Sequence, residues 1–231
     1  MKAMILAAGH GKRMGDLTND TPKPLLKIGT GSDSKALIEY HIERLVKAGI
    51  TEIVINRAQH ADQFDALLGN GEKYGVKITY SDEEGEPLET GGGIYKALPL
   101  LNDSSFMVIN GDIWCDYPLE KLLDDPQGLA HLVLVRNPAH NPEGDFALEQ
   151  SYNKENSDRI RLGTTEKYTF SGLAVYRPEL FDECQDGSFA LAPILRHTIS
   201  QDLVAGELYE GEWMDIGTPE RLEELARRIG G

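Results

Sequence analysis

The chain reads as an α/β fold in three layers: a mostly parallel central sheet, helices on both of its faces, and a small antiparallel flap. Three observations predict it. Short apolar runs recur along the 231 residues, separated by amphipathic segments, as strands joined through covering helices require. The opening run, Ala3 to Ala8, passes directly into Gly9 and Gly11, as a buried strand that ends in a tight loop does. Between Phe146 and Val175 the rhythm changes to strands around a polar stretch, Gln150 to Lys167, which predicts the flap.

Each element follows from its local pattern. Lys2 to Ala7 is the first strand. Ala36 to Ala48 sets Leu37, His41, Leu45 and Ala48 on one helical stripe, with Ile38 and Ile42 beside it, and Gly49 supplies the stop. Ile53 to Asn56 is the second strand, Asp62 to Leu68 a short helix, and Val76 to Tyr80 the third strand. Gly92 to Leu101 reads as a helix and Phe106 to Asn110 as a fully apolar fourth strand. Leu119 to Leu123 is a brief helix and Ala130 to Arg136 another strand. After the flap come a helix at Ala192 to Ser200, a strand at Leu203 to Glu210, and a helix at Pro219 to Arg228. Thr218 suits its N-cap and Pro219 its first turn. A single domain over 1–231 is expected, with the flap inserted at roughly 140–176.

Composition narrows the function. With 23 Lys and Arg against 38 Asp and Glu, the net charge is −15, which repels nucleic acid and anionic membranes. Any anionic ligand must therefore be caught locally. Lys2, Lys12, Arg13, Lys23 and Lys27 against only Asp16 and Asp20 mark the N-terminal stretch as that place. Cys115 and Cys184 have neither zinc spacing nor a disulfide framework and read as free thiols. No apolar run approaches the roughly 20 residues that span a bilayer, and Met1-Lys2 leads straight into a core strand rather than a cleavable signal. A cytoplasmic location is expected.

Gly9 and Gly11 let the backbone turn with its amides facing an anion, while Pro22 and Pro24 restrict the backbone on either side of Lys23. Two familiar phosphate loops are excluded. The dinucleotide fingerprint needs a third glycine where Met14 stands and an acid where Asn56 stands, and no Gly-Lys-Ser/Thr of a Walker loop is present. Asp112, in Asn110-Gly-Asp-Ile-Trp114, falls just past the carboxyl end of the fourth strand, where ligands of open α/β sheets bind. It can hold a Mg²⁺ or simply make a turn. Asp215, in Trp213-Met-Asp-Ile-Gly-Thr-Pro219, lies among apolar neighbours and needs a partner: backbone amides, an arginine, or a metal shared with Asp112. The run Glu84-Gly-Glu-Pro-Leu-Glu-Thr-Gly-Gly-Gly-Ile94 precedes a helix, and its glycines permit a close, flat approach to a base or ribose. His10, His41, His60, His131, His140 and His197 are scattered and read as loop or helix-face residues.

Taken together, Leu-Ala-Ala-Gly-x-Gly-x-Arg-Met, Pro-Lys-Pro-Leu, Gly-Glu-Pro-Leu-Glu-Thr-Gly-Gly-Gly, Asn-Gly-Asp-Ile-Trp and Trp-Met-Asp-Ile-Gly-Thr-Pro-Glu-Arg resemble the sugar-1-phosphate nucleotidylyltransferases. The resemblance runs from Met1 to about Leu225. It implies a Rossmann-like sandwich of the nucleotide-diphospho-sugar transferase type, without the C-terminal β-helix of longer relatives. Within the family, the glycine triplet, Asp-Ile-Trp and the short length resemble the members that use UTP and N-acetylmuramate 1-phosphate. The implied reaction transfers UMP to the sugar phosphate and releases pyrophosphate, with Mg²⁺ as cofactor and no nucleic-acid or membrane partner. Alternatives are the same chemistry on glucose or mannose 1-phosphate with GTP or dTTP, or a nucleotide-sugar sensor without turnover.

By the same resemblance Lys23, Arg13 and Asp112 are catalytic. Leu6, Ala7, Ala8, Gly9, Gly11, Arg13, Lys23, Glu84, Leu88, Gly91 and Gly111 hold the nucleotide. Asn110, Glu149, Ser171 and Gly172 hold the sugar, and Asp112 and Asp215 the metal. Arg159, Arg161 and Lys154 are candidates for the acceptor's lactyl carboxylate. Lys12 and Gly15-Asp16 depart from the family's phosphate loop, which puts its tightness in question.

Overall fold

A computed structural model describes residues 1–29, 34–85, 87–101, 104–151, 157–163 and 166–229. The chain opens with β1 (Lys2–Leu6), two 3-10 turns at Lys12–Thr18 and Lys23–Leu25, and the short strands β2 (Lys27–Ile28) and β3 (Lys35–Ala36). Then come α1 (Leu37–Lys47), β4 (Glu52–Arg57), α2 (Ala61–Leu68), β5 (Lys77–Asp82), α3 (Glu89–Leu101), β6 (Phe106–Asn110) and β7 (Ile113–Cys115). The second half holds β8 (Ala130–Val135), β9 (Phe146–Glu149), β10 (Asp158–Arg161), β11 (Lys167–Tyr176), α4 (Leu191–Ser200), β12 (Val204–Tyr209), β13 (Trp213–Asp215) and α5 (Pro219–Ile229). Cys115 and Cys184 are both free thiols. Among the described residues, no helix is long and apolar enough to cross a membrane.

Nine strands share one sheet in the order β5, β4, β1, β6, β11, β8, β12, β10, β9. The first four run parallel. β11 then enters antiparallel between β6 and β8, and β12 lies parallel to β8. The sheet is thus mixed, with β11 and β10 running against the other strands. Within the span expected to form the flap, β9, β10 and the start of β11 pair antiparallel, and β11 continues as a central strand of the main sheet. Its first residues, Lys167 and Tyr168, pair with β9, so β11, β8, β12, β10 and β9 close into a ring of pairings that leaves β9 no free edge. The register on β8 shifts between Phe170 and Leu173. Gly172, at φ +83°, takes up that bulge, and the strand bends there from one set of partners to the next.

Alternating side chains build two cores. Ala3 and Ile5 of β1, with Met107 and Ile109 of β6, face Ile38, Ile42 and Leu45 of α1 and Phe64 of α2. Met4, Phe106 and Val108 face the other way, onto Ile94 and Ala97 of α3 and Leu195 and Ile199 of α4. Each such side chain, fully buried, contributes about 1.5–3 kcal/mol. A third cluster seats α5 through Leu225 against Ile28, Met214 and Ile216. Local signals set the ends of α1: the Glu39 carboxylate accepts the Ala36 N–H at 2.8 Å, and Gly49 at φ +82° ends the helix.

α3 begins at Glu89 rather than Gly92. The glycine triplet sits inside its first turns, where a Cβ on Gly91 would strike the Phe189 ring, one on Gly92 the Gly187 carbonyl, and one on Gly93 the Glu83 carboxylate. Close approach does require these glycines, but the neighbour is the protein's own chain. Burial of the helix offsets the ~1 kcal/mol that each glycine costs a helix.

Candidate active site

The carboxyl ends of β1 and β6 open into a cavity of about 360 Å³. Leu6, Ala7, Ala8, Gly9 and Gly11 line it with Lys12, Arg13, Lys23 and Pro24, and with Asn110 and Asp112 from the end of β6. Gly11 adopts φ +62°, and a Cβ there would lie 3.0 Å from Thr18 and 3.2 Å from Lys23. At Gly9 neither φ nor packing demands glycine. The Thr18 hydroxyl donates to the Gly11 carbonyl at 3.1 Å and to that of Gly15 at 3.3 Å. Gly15 itself sits at φ +57°. The unusual Gly15-Asp16 segment is therefore a bonded turn, tied down by a threonine that sequence reasoning passed over.

Lys23 is 6% exposed, and its ammonium meets Asp112 Oδ2 at 2.9 Å. The Pro22 and Lys23 carbonyls accept the amides of Leu25 and Leu26 at 2.8 and 3.1 Å, so the lysine stands on a closed turn. The backbones of Asp112 and Asp215 are brought side by side by a route the sequence did not reveal, while Asp112 lines the first cavity and Asp215 does not. β7 and β13 pair antiparallel with Asp215 opposite Ile113, and the Ile216 N–H donates to the Asp112 carbonyl at 2.7 Å. The Asp215 carboxylate is engaged on both oxygens, by the Arg221 guanidinium and by His140 Nε2 at 3.0 Å. His140 does lie in a loop, and its contact with Asp215, like that of Arg221, was missed. Gly217 leaves room for Arg13, whose guanidinium a Cβ would meet at 3.1 Å. Asp215 itself lines a second cavity of about 290 Å³, together with Arg136, His140, Arg221 and the acids Glu210 and Glu224.

The nucleotide residues separate into those at the cavity and those behind it. Glu84 is exposed, whereas its neighbour Glu83 is the buried acid lining the cavity. Glu83 accepts from Asn56 Nδ2 at 2.6 Å and from the Leu88 N–H at 2.7 Å. Asn56 Oδ1 in turn accepts the Ala7 N–H at 2.8 Å. Gly91 packs on Phe189, and Gly111 donates its N–H to the Leu6 carbonyl at 2.9 Å, supporting the loop from behind.

The residues expected to hold the sugar fall in different parts of the sheet. Ser171 is fully buried, and its hydroxyl donates to the Val133 carbonyl at 2.7 Å, so that side chain belongs to the sheet. Glu149 pairs with Arg161 at 2.6 Å, and the same arginine holds Asp202 ahead of β12. Both therefore lie on the paired strands β9 and β10. Arg159, which donates to the Gln127 carbonyl at 2.7 Å, sits beside them, and Lys154 lies outside the described residues. Asn110 does reach the cavity, and Gly172 packs against its side chain.

A glycine loop, a buried lysine and a carboxylate at the carboxyl ends of parallel strands define a nucleotide-handling α/β enzyme, and the nucleotidyl transferase family model matches residues 2–230. The chain belongs to that family. It is 47% identical over 236 residues to the N-acetylmuramate alpha-1-phosphate uridylyltransferase of Neisseria meningitidis serogroup B, covering 100% of this chain and 99% of the relative. The enzyme of the same name from Caulobacter vibrioides is 33% identical over 231 residues, covering 94% and 92%. A solved structure from Bacillus anthracis, provisionally described as a glucose-1-phosphate thymidylyltransferase in complex with sucrose, superposes with a TM-score of 0.80. That match covers 98% of this chain and 95% of the other at 22% identity, a likeness of fold.

Proposed function

We propose that this chain transfers UMP from UTP to N-acetylmuramate 1-phosphate, releasing pyrophosphate. The observation that carries the chemistry is the buried Lys23 ammonium, 2.9 Å from Asp112, under the turn of Gly11. An oxygen of the sugar phosphate attacks the α-phosphorus of UTP, a new P–O bond forms, and the bond to the bridging oxygen of the pyrophosphate breaks. No covalent enzyme intermediate is needed. The residues contribute in-line positioning and neutralisation of phosphate charge. Lys23 and Arg13 serve the second role, and the loop from Leu6 to Gly11 supplies backbone around the triphosphate.

Asp112 and Asp215 would hold Mg²⁺. Their oxygens are hard donors on adjacent chain segments, and Mg²⁺ commonly takes one or two carboxylates, completing its shell with water and phosphate oxygens. Among the described residues, no cluster of three or more metal-ligating side chains competes with that pair. Bound there, the ion would neutralise charge on the reacting phosphates. Asp215 would then exchange its contacts with Arg221 and His140.

The acceptor belongs beside Asn110 and Gly172. Its lactyl carboxylate would meet the guanidinium groups of Arg136 and Arg221 at the second cavity, beside the acids Glu210, Asp215 and Glu224 that line it too. A cytoplasmic role in peptidoglycan recycling goes with this reading, since UTP is a cytoplasmic substrate. Pyrophosphate release with UTP, compared across N-acetylmuramate, glucose and mannose 1-phosphates, tests it. Turnover with either of the latter and none with the first would overturn the acceptor.

A further inference from the structure

Glu83 follows β5 and is 3% exposed, yet it lines the cavity. Its two oxygens face two donors, Asn56 Nδ2 at 2.6 Å and the Leu88 N–H at 2.7 Å. Asn56 is fixed in one orientation, because its Oδ1 accepts the Ala7 N–H at 2.8 Å. Donor and acceptor alternate along the whole path from Ala7 to Leu88, so one carboxylate and one amide join three separate segments. Helix α3 rests on the same pair: a Cβ on Gly93 would lie 2.7 Å from Glu83 Oε1 and 2.9 Å from Asn56 Nδ2. Directly beyond Leu88, Glu89 holds φ +58°, a left-handed backbone that a non-glycine residue keeps only where its surroundings impose it. Pro87, Glu89 and Thr90 line the cavity opposite Ala7 and Ala8.

We propose that Glu83 and Asn56 are a positioning pair that sets the nucleobase end of the cavity, holding the backbone of residues 87–90 at a fixed spacing from Ala7. The inference rests on the cavity being the UTP site. The pair bonds to Ala7 and Leu88 rather than to Lys23 or Asp112, so its effect is expected on recognition of the nucleotide.

A reciprocal exchange tests it. Glu83→Gln sets an amide donor against Asn56 Nδ2, Asn56→Asp sets two carboxylates together, and the double variant restores the alternation with the same number of atoms. Either single change is expected to raise the UTP KM about tenfold or more, as loss of one buried partner does. The acceptor KM should stay within about twofold, preference for UTP over GTP should narrow, and the double variant should recover most of the loss. Calorimetric UTP binding to the same four proteins gives the comparison without turnover, and the double variant keeps it available where a single one fails to fold. A wild-type UTP KM in both single variants, equal rises in both KM values, or no recovery in the double variant would overturn the pair. Absence of wild-type turnover would instead sink the assigned reaction.

Discussion

Lys23 and Asp112 stand 89 residues apart in the sequence and 2.9 Å apart in space. One comes from a proline-flanked turn after β1 and the other from the end of β6. Their pairing brings the phosphate loop against the carboxylate that would hold the metal, so loss of the lysine charge should reach chemistry more than folding. Lys23→Met keeps much of the side chain's bulk and removes the charge. Its kcat/KM for pyrophosphate release is expected to fall about 10²–10³-fold. Asp112 has 41% of its side chain exposed, so water takes over the carboxylate and the stability change should stay near 1 kcal/mol. Steady-state kinetics beside a thermal melt separates the two, and near-normal kcat/KM would remove Lys23 from the mechanism.

Metal removal should stop turnover, and added Mg²⁺ should restore it. Asp112→Asn and Asp215→Asn each take away one hard oxygen charge, so each should raise the Mg²⁺ concentration for half-maximal rate about tenfold or more. Asp215→Asn also releases Arg221 and His140, and its melting temperature should change more than that of Asp112→Asn. A Mg²⁺ titration identical to wild type would exclude either residue from the metal site.

The two loop glycines should behave differently. Gly11→Ala forces φ +62° on alanine and puts its Cβ against Thr18 and Lys23, for an expected loss of about 1–2 kcal/mol. Gly9→Ala meets open space and should leave stability within about 0.5 kcal/mol. Urea unfolding of both measures this, and equal losses would contradict the geometry.

His41 makes acid stability a local question. It is 1% exposed, and burial, helped by Arg44 and opposed by Asp112, holds its pKa down to about 3. The unfolded chain, with a histidine pKa near ~6.5, binds this proton more tightly than the fold does. The contribution is therefore fully present above about pH 6.5 and is lost as pH falls from there toward 3, by at most about 1.4 kcal/mol per pH unit. His41→Gln should flatten the stability profile across that window. An unchanged slope would show that other groups drive acid unfolding.

Strands with strong local patterns were legible in the sequence, and partners were not. The apolar runs of β1, β6 and β8 announced themselves, and Asn110-Gly-Asp112 placed a carboxylate at the correct strand end. Nothing local says that β11 inserts antiparallel beside β6, because strand pairing depends on long-range packing that alternation alone cannot encode. The glycines of α3 read as a close approach to a ligand, and only the fold shows that Phe189 and Gly187 are what comes so near. Glu84 and Glu83 are adjacent acids, and only the fold buries one of them. Glu149 fitted a family position, while its ion pair with Arg161 could not be seen from spacing.

The central claim is the reaction itself, UMP transfer from UTP to N-acetylmuramate 1-phosphate. Its most direct test is mass-spectrometric detection of the nucleotide sugar formed by the purified protein from UTP, Mg²⁺ and that acceptor, with pyrophosphate measured in the same tube. The account predicts UDP-N-acetylmuramate and pyrophosphate in equal amounts, and loss of both in Lys23→Met. Neither product from the wild type, under conditions where it turns over another sugar 1-phosphate or another nucleotide, would contradict it.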